Sequence, residues 1–104
     1  MNINLTSEKP VFISAELIQA YKDFNIKSLF INVSEDKVHV GYDKGGDHFT
    51  YTLTKLKSGF YSLDYCCDGL RQHRMGAGNY SKVIEYVETK DEFARIAILT
   101  ISHL

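Results

Sequence analysis

Three groupings in this sequence carry side chains able to do chemistry. The first is Cys66-Cys67. A nucleophilic cysteine needs a neighbouring base and, usually, a helix N-terminus to lower its pKa. His73 is the nearest histidine in sequence, but no pattern ties it to either thiol. Adjacent cysteines seldom bridge each other, because the ring strains the backbone. No CxxC pair or Cys/His metal spacing is present. The plainer reading is two reduced thiols near a strand end.

The second grouping is His39, His48 and Asp64, which would suit an acid/base pair or part of a metal site. Two histidines supply too few ligands for zinc. The row Thr50, Thr52, Thr54 beside them reads more simply as a wet sheet face. The third grouping is basic. Arg71, His73, Arg74 and Lys82 surround Gly76-Ala77-Gly78-Asn79, with Tyr80 next to them. Backbone amides of a glycine-rich turn can form an anion nest. With two arginines, such a nest would suit a phosphate, a nucleic-acid backbone or an acidic protein. The GxG lacks the strand-GxGxxG-helix context and the P-loop lysine, so the competing reading is a solvated surface loop. Arg71, His73, Arg74, Tyr80 and Lys82 are the candidate binding residues. No residue is nominated as catalytic or metal-ligating, and no cofactor is expected.

These residues hang on a meander over residues 28–67. Leu29, Ile31 and Val33 alternate with polar neighbours, as do Val38, Val40 and Tyr42, then Phe49, Tyr51 and Leu53, then Tyr61, Leu63 and Tyr65. That is the signature of antiparallel strands with one apolar face. The turns give the same register independently. Closing at Ser34-Glu35-Asp36-Lys37 sets Val33 against Val38, Ile31 against Val40 and Leu29 against Tyr42. Gly45-Gly46 suits a two-residue hairpin with both φ positive. It sets Tyr42 against Phe49, Val40 against Tyr51 and Val38 against Leu53. Lys57-Ser58-Gly59 suits a three-residue loop and sets Leu53 against Leu63 and Tyr51 against Tyr65. A slip of one residue would expose every apolar side chain. On the polar face His39 falls opposite Asn32 and Thr52, and His48 opposite Asp43. Phe30 lies opposite Gly41, which it is placed to cover. Phe30, Leu56 and Phe60 are the apolar residues expected to be exposed there.

Flanking the meander, Asn2 to Leu5 suggests an edge strand. Ser14 is a helix N-cap with Glu16 in the first turn, and Leu17, Ala20, Tyr21 and Phe24 share a face. Ile13 and Ile18 fit a hydrophobic staple, and Asn25 a left-handed stop. The spacing predicts a helix over 15–24 that covers one side of the sheet. Beyond Cys67, Asp68-Gly69 suits a type I′ turn, but a return strand from Leu70 would place Gln72 and Arg74 on the apolar side. Residues 70–75 therefore read as irregular edge or loop, and 76–79 as loop. Val83, Val87 and Thr89 suggest a further strand, with a short helix after Ser81 as the competing reading. Thr89 and Glu92 form a capping box. Phe93, Ile96, Ala97, Thr100, Ile101 and Leu104 then give a helical stripe, against a β-hairpin alternative. Ile98 and Leu99 lie off that stripe.

The expected architecture is thus α+β, one domain over 1–104: an antiparallel four- to five-stranded meander flanked by an N-terminal and a C-terminal helix. The 104 residues allow one core. A formal net charge of -1 argues against a strongly basic nucleic-acid binder and an acidic nucleic-acid mimic. No apolar run approaches membrane-spanning length, the N-terminus lacks a signal-peptide layout, and a reducing cytoplasm is the expected compartment. With seven tyrosines and no catalytic grouping, the expected role is a small non-enzymatic protein-binding module. By analogy of size and plainness, and not from a motif, the expectation extends to an inhibitor or immunity-type protein such as phages and mobile elements carry. The expected partner is another protein, with no membrane contact and homo-oligomerisation left open. The alternatives are nucleic-acid or phosphate binding by residues 68–82, and a small Cys/His enzyme. No family resemblance emerges from these residues.

Overall fold

A computed structural model describes residues 2–8, 11–67 and 71–101, with the side chains of 71–76, 100 and 101 outside the description. The order is β1 (Ile3–Ser7), α1 (Ala15–Asp23), β2 (Ile26–Val33), β3 (Lys37–Lys44), β4 (Asp47–Lys55), β5 (Tyr61–Cys67), β6 (Arg71–Gly78), α2 (Tyr80–Glu88) and α3 (Glu92–Ile101). The six strands form a sheet in sequence order. All neighbours are antiparallel except β1 and β2, which are parallel across α1.

The α+β architecture is as the sequence implies, with more elements than expected: six strands and three helices. The meander register agrees residue for residue with the one the turns dictate, from Val33 opposite Val38 to Tyr51 opposite Tyr65. Gly45 and Gly46 have φ of 60° and 86°, the paired positive values of the tight hairpin. Ser14 Oγ accepts from Leu17 N at 3.1 Å and starts α1. Asn25, at φ 57°, ends it. The Tyr21 hydroxyl donates to Lys27 O at 2.8 Å and accepts from Asn2 N at 3.2 Å. It thereby ties α1 to the start of β1 and β2.

Three expectations fail after Cys67. Residues 71–75 take the edge-strand form of the two readings left open for them, and the strand runs on through 76–78 where a loop was expected, because an edge strand needs only the backbone of its neighbour and no apolar alternation. The register pairs Cys67 with Arg71, so three residues separate them; this shifts Gln72 opposite Cys66 and Arg74 opposite Asp64, not onto the apolar side. The type I′ turn itself falls on 68–70, outside the described residues. Second, Val83 and Val87 belong to a helix. Asn79 caps it, its Oδ1 accepting from Lys82 N at 2.9 Å, and both valines are fully buried on one helical face. Third, Thr89 is not the cap of α3. It closes α2, its Oγ1 donating to Tyr86 O at 2.6 Å. Asp91 caps α3, accepting from Phe93 N at 2.9 Å and Ala94 N at 3.4 Å.

The three helices all pack on one face of the sheet. α3 lies between α1 and α2 and over β3, α1 over β2, and α2 over β5 and β6. The face they cover holds the core: Leu29, Ile31, Val38, Val40, Tyr42, Leu53 and Leu63, each at 1% exposure or less, with Leu17, Phe93 and Ile98 from the helices. Burial from both flanks explains why Ile98, off the main stripe, is buried, while Leu99 remains exposed. Phe93 is the keystone, its ring centroid 4.8 Å from Tyr42 in an edge contact and 6.1 Å from Phe24.

Candidate functional site

Among the described residues no helix packs on the opposite face of the sheet. Cross-strand pairing arranges its residues in rows. One row runs Asn4, Phe30, Gly41, Thr50, Cys66, Gln72 in register order. The next runs Thr6, Asn32, His39, Thr52, Asp64, Arg74. A shorter row joins Ser28, Asp43 and His48.

Two hydrogen-bonded groups organise this face. Asp43 accepts from Ser28 Oγ at 2.5 Å through Oδ2 and meets His48 Nδ1 at 2.8 Å through Oδ1. The Ser28 hydroxyl, and after it His48, hold the Asp43 carboxyl below its ordinary pKa. His39 Nδ1 lies 2.8 Å from Thr52 Oγ1, and burial, then the neighbouring His48, lower its pKa. Phe30, expected over Gly41, is not among the nearest neighbours of that position. A Cβ at Gly41 would meet Thr50 Cγ2 at 3.6 Å and His48 Cε1 at 3.7 Å, so the His48 ring lies over the glycine. Phe30 turns edge-on to His39, with centroids 6.1 Å apart, and stays 43% exposed. Among the described residues no three His, Cys, Asp or Glu side chains gather as metal ligands. The His48 ring leans towards β3, whereas Cys66 lies on β5, beyond Thr50. A thiol–imidazole pair between these two is therefore not assembled.

The five nominated residues are spread along the molecule. Arg71, His73 and Arg74 fall in β6, opposite Cys67, Tyr65 and Asp64. Eight residues of strand span about 25 Å, so Arg71 and the α2 end lie at opposite ends of the sheet edge. The extended backbone of β6 replaces the expected loop around Gly76 and Gly78. Tyr80 packs its ring edge-on against Tyr61, centroids 5.3 Å apart, and is half-buried. Lys82 is exposed and, with Glu85, Tyr86 and Thr89, lines an open depression of about 260 Å³ on α2, small for a ligand pocket.

One feature the sequence reading missed is a phenol row under α2 and α3. Phe49, Tyr42, Tyr51 and Tyr65 stack in order, with centroids 5.4, 6.4 and 5.6 Å apart. Tyr86 tilts onto Tyr65, and Lys90 Nζ sits 5.8 and 5.2 Å from the Tyr65 and Tyr86 centroids. The hydrogen bond with Tyr65 raises the Tyr86 pKa. Tyr42 is fully buried and its hydroxyl has no hydrogen-bond partner at standard geometry. Burial, and after it the neighbouring Asp91 carboxylate, push its pKa far up. The register already placed Tyr42, Phe49, Tyr51 and Tyr65 side by side; what joins Tyr86 and Lys90 to them is the helical state of α2.

No known relative identifies the chain. It matches no protein-family model, no curated protein and no solved structure. Among the described residues no helix is long and apolar enough to cross a membrane.

Proposed function

We propose that this protein is a non-catalytic protein-binding module that meets its partner through the open outer face of the sheet. The observation that carries the reading is the placement of all three helices on one side. Among the described residues it leaves a helix-free face on which Phe30 is 43% exposed among threonines, asparagines and histidines. An aromatic anchor in a surround of hydrogen-bonding side chains with few charges is the composition of a protein contact. The described charged side chains on this face, Lys37, Asp43 and Asp64, are few and of both signs, which favours a protein over a polyanion. An inhibitor or immunity-type role is the finer form of this reading. It rests on an analogy of small size and plainness, and no motif carries it.

The test is affinity capture from the source cell with wild-type chain, Phe30→Asp, and Arg71→Ala with Arg74→Ala, each checked for folding by circular dichroism. The expected result is a protein captured by wild type and by the double arginine variant and lost with Phe30→Asp. Loss with the arginine pair alone would move the contact to the β6 edge. Capture of nucleic acid that weakens steeply with salt would replace the reading altogether.

A further inference from the structure

The sheet has two edges, and they are unlike. β6 carries Arg71, His73 and Arg74. Charged edge residues discourage pairing with another strand. β1 reads Ile3-Asn4-Leu5-Thr6-Ser7, with no charge, no proline and no bulge in its register. It is the undefended edge.

Its hydrogen bonding fixes which backbone groups face outwards. Leu29 N donates to Asn2 O at 2.9 Å, and Glu8 N donates to Val33 O at 3.0 Å. In a parallel ladder alternate residues bond the same neighbour. Residues 2, 4, 6 and 8 therefore face β2, and the amides and carbonyls of Ile3 and Leu5 point away from the sheet. Leu5, at the centre of the strand and opposite Ile31, is 38% exposed at the rim of the helix layer.

From this geometry we infer that β1 pairs with β1 of a second copy, antiparallel about a two-fold axis at Leu5, making one continuous twelve-stranded sheet. The sequence is self-complementary about that axis. Leu5 meets its own counterpart in a pair that exchanges two N–H···O bonds, Ile3 meets Ser7, and Asn4 meets Thr6. Glu8 falls opposite Asn2, so no like charges oppose each other. The axis is perpendicular to the sheet, which places both helix layers on the same side and the two Leu5 side chains together at the seam. A two-fold contact of this kind closes on itself. A five-residue strand pair buries less than a stable dimer needs, so association is weak and concentration-dependent. The outer-face reading does not depend on this contact, and neither fails with the other.

Sedimentation velocity on the untagged chain from micromolar to millimolar concentration tests it. The mass is expected to rise from 11.9 kDa towards twice that value. Leu5→Pro removes an outward amide with no bond recorded among the described residues, and it should weaken association roughly tenfold or more while the fold is kept. If that variant misfolds, Leu5→Lys sets two like charges on the axis and should give the same loss. In a Cys66→Ser, Cys67→Ser background, Leu5→Cys should oxidise to a covalent dimer, because directly opposed residues lie within disulfide reach. Ile3→Cys should not, because its counterpart sits about four residues away along the strand. A monomer at millimolar concentration would overturn the inference. So would a dimer that withstands both Leu5 variants, or cross-linking by Ile3→Cys as readily as by Leu5→Cys.

Discussion

Tyr42 sits at the centre of the core with a hydroxyl that is buried and, at standard geometry, unpartnered. A buried polar group without a partner destabilises the fold that holds it. Tyr42→Phe keeps the stacking with Phe49 and Tyr51 and the edge contact with Phe93. It is expected to raise stability by up to about 1 kcal/mol in urea denaturation; a loss of that size would show that Asp91 accepts the hydroxyl after all. Gly41 has a negative or extended φ and room for a methyl group at ordinary contact distance from Thr50 and His48. Gly41→Ala should therefore stabilise the chain by about 0.5–1 kcal/mol, read as a higher melting temperature. His39 carries the pH dependence of the outer face. Burial and then His48 lower its folded pKa beneath the ordinary 6.5. The unfolded chain thus takes up this proton first. The group's contribution is present above the unfolded pKa and is lost as pH falls through the folded one. Wild type should lose stability between about pH 7 and pH 5, and His39→Gln should lose less. Asp43, whose folded pKa is also depressed, acts in the same direction at lower pH.

At the scale of elements, the helix starts decide most. Asp91 holds two amides of α3, while the Thr89 hydroxyl bonds a carbonyl at the end of α2. Asp91→Ala is expected to lower stability by about 1 kcal/mol, and Thr89→Ala by less than half as much, measured by chemical denaturation. The capping-box pattern at Thr89 and Glu92 was a sound local signal that a neighbouring residue of better geometry displaced. Asn79 was equally available as a cap and was read as loop because the glycines before it suggested a loop. Two features of the folded chain override that impression: Val83 and Val87 share a helical face, and the sheet edge is already occupied by β6. The meander was legible in full because turn chemistry and alternation are independent, and both demanded one register. β6 was legible only as one of two readings, since an edge strand of Arg, Gln, His and Gly shows no alternation; pairing with β5 defines it.

For the whole molecule, the interior converges on Phe93, which joins α3 to β3 and to the end of α1. Phe93→Ala should reduce stability by roughly 3–5 kcal/mol, enough to unfold a domain of ordinary stability. Part of the functional surface was legible beforehand. The polar rows of the outer face follow from register, so His39, Thr52, Asp43 and His48 could be placed together from sequence. The wet character of the face was legible too: Phe30 and Phe60 are exposed as expected, whereas Leu56 is half-buried; the third helix on the far side was not, because it read as a strand.

The same arrangement bears on how the chain is made. Strands β2 to β5 each pair with a neighbour in sequence and can close as they leave the ribosome. The element that seals β3, however, lies half a chain later. Until α3 emerges, Val38, Val40 and Tyr42 are hydrophobic surface on a folded but uncovered sheet. The interval between those two events is when this protein is most exposed to aggregation and to chaperones.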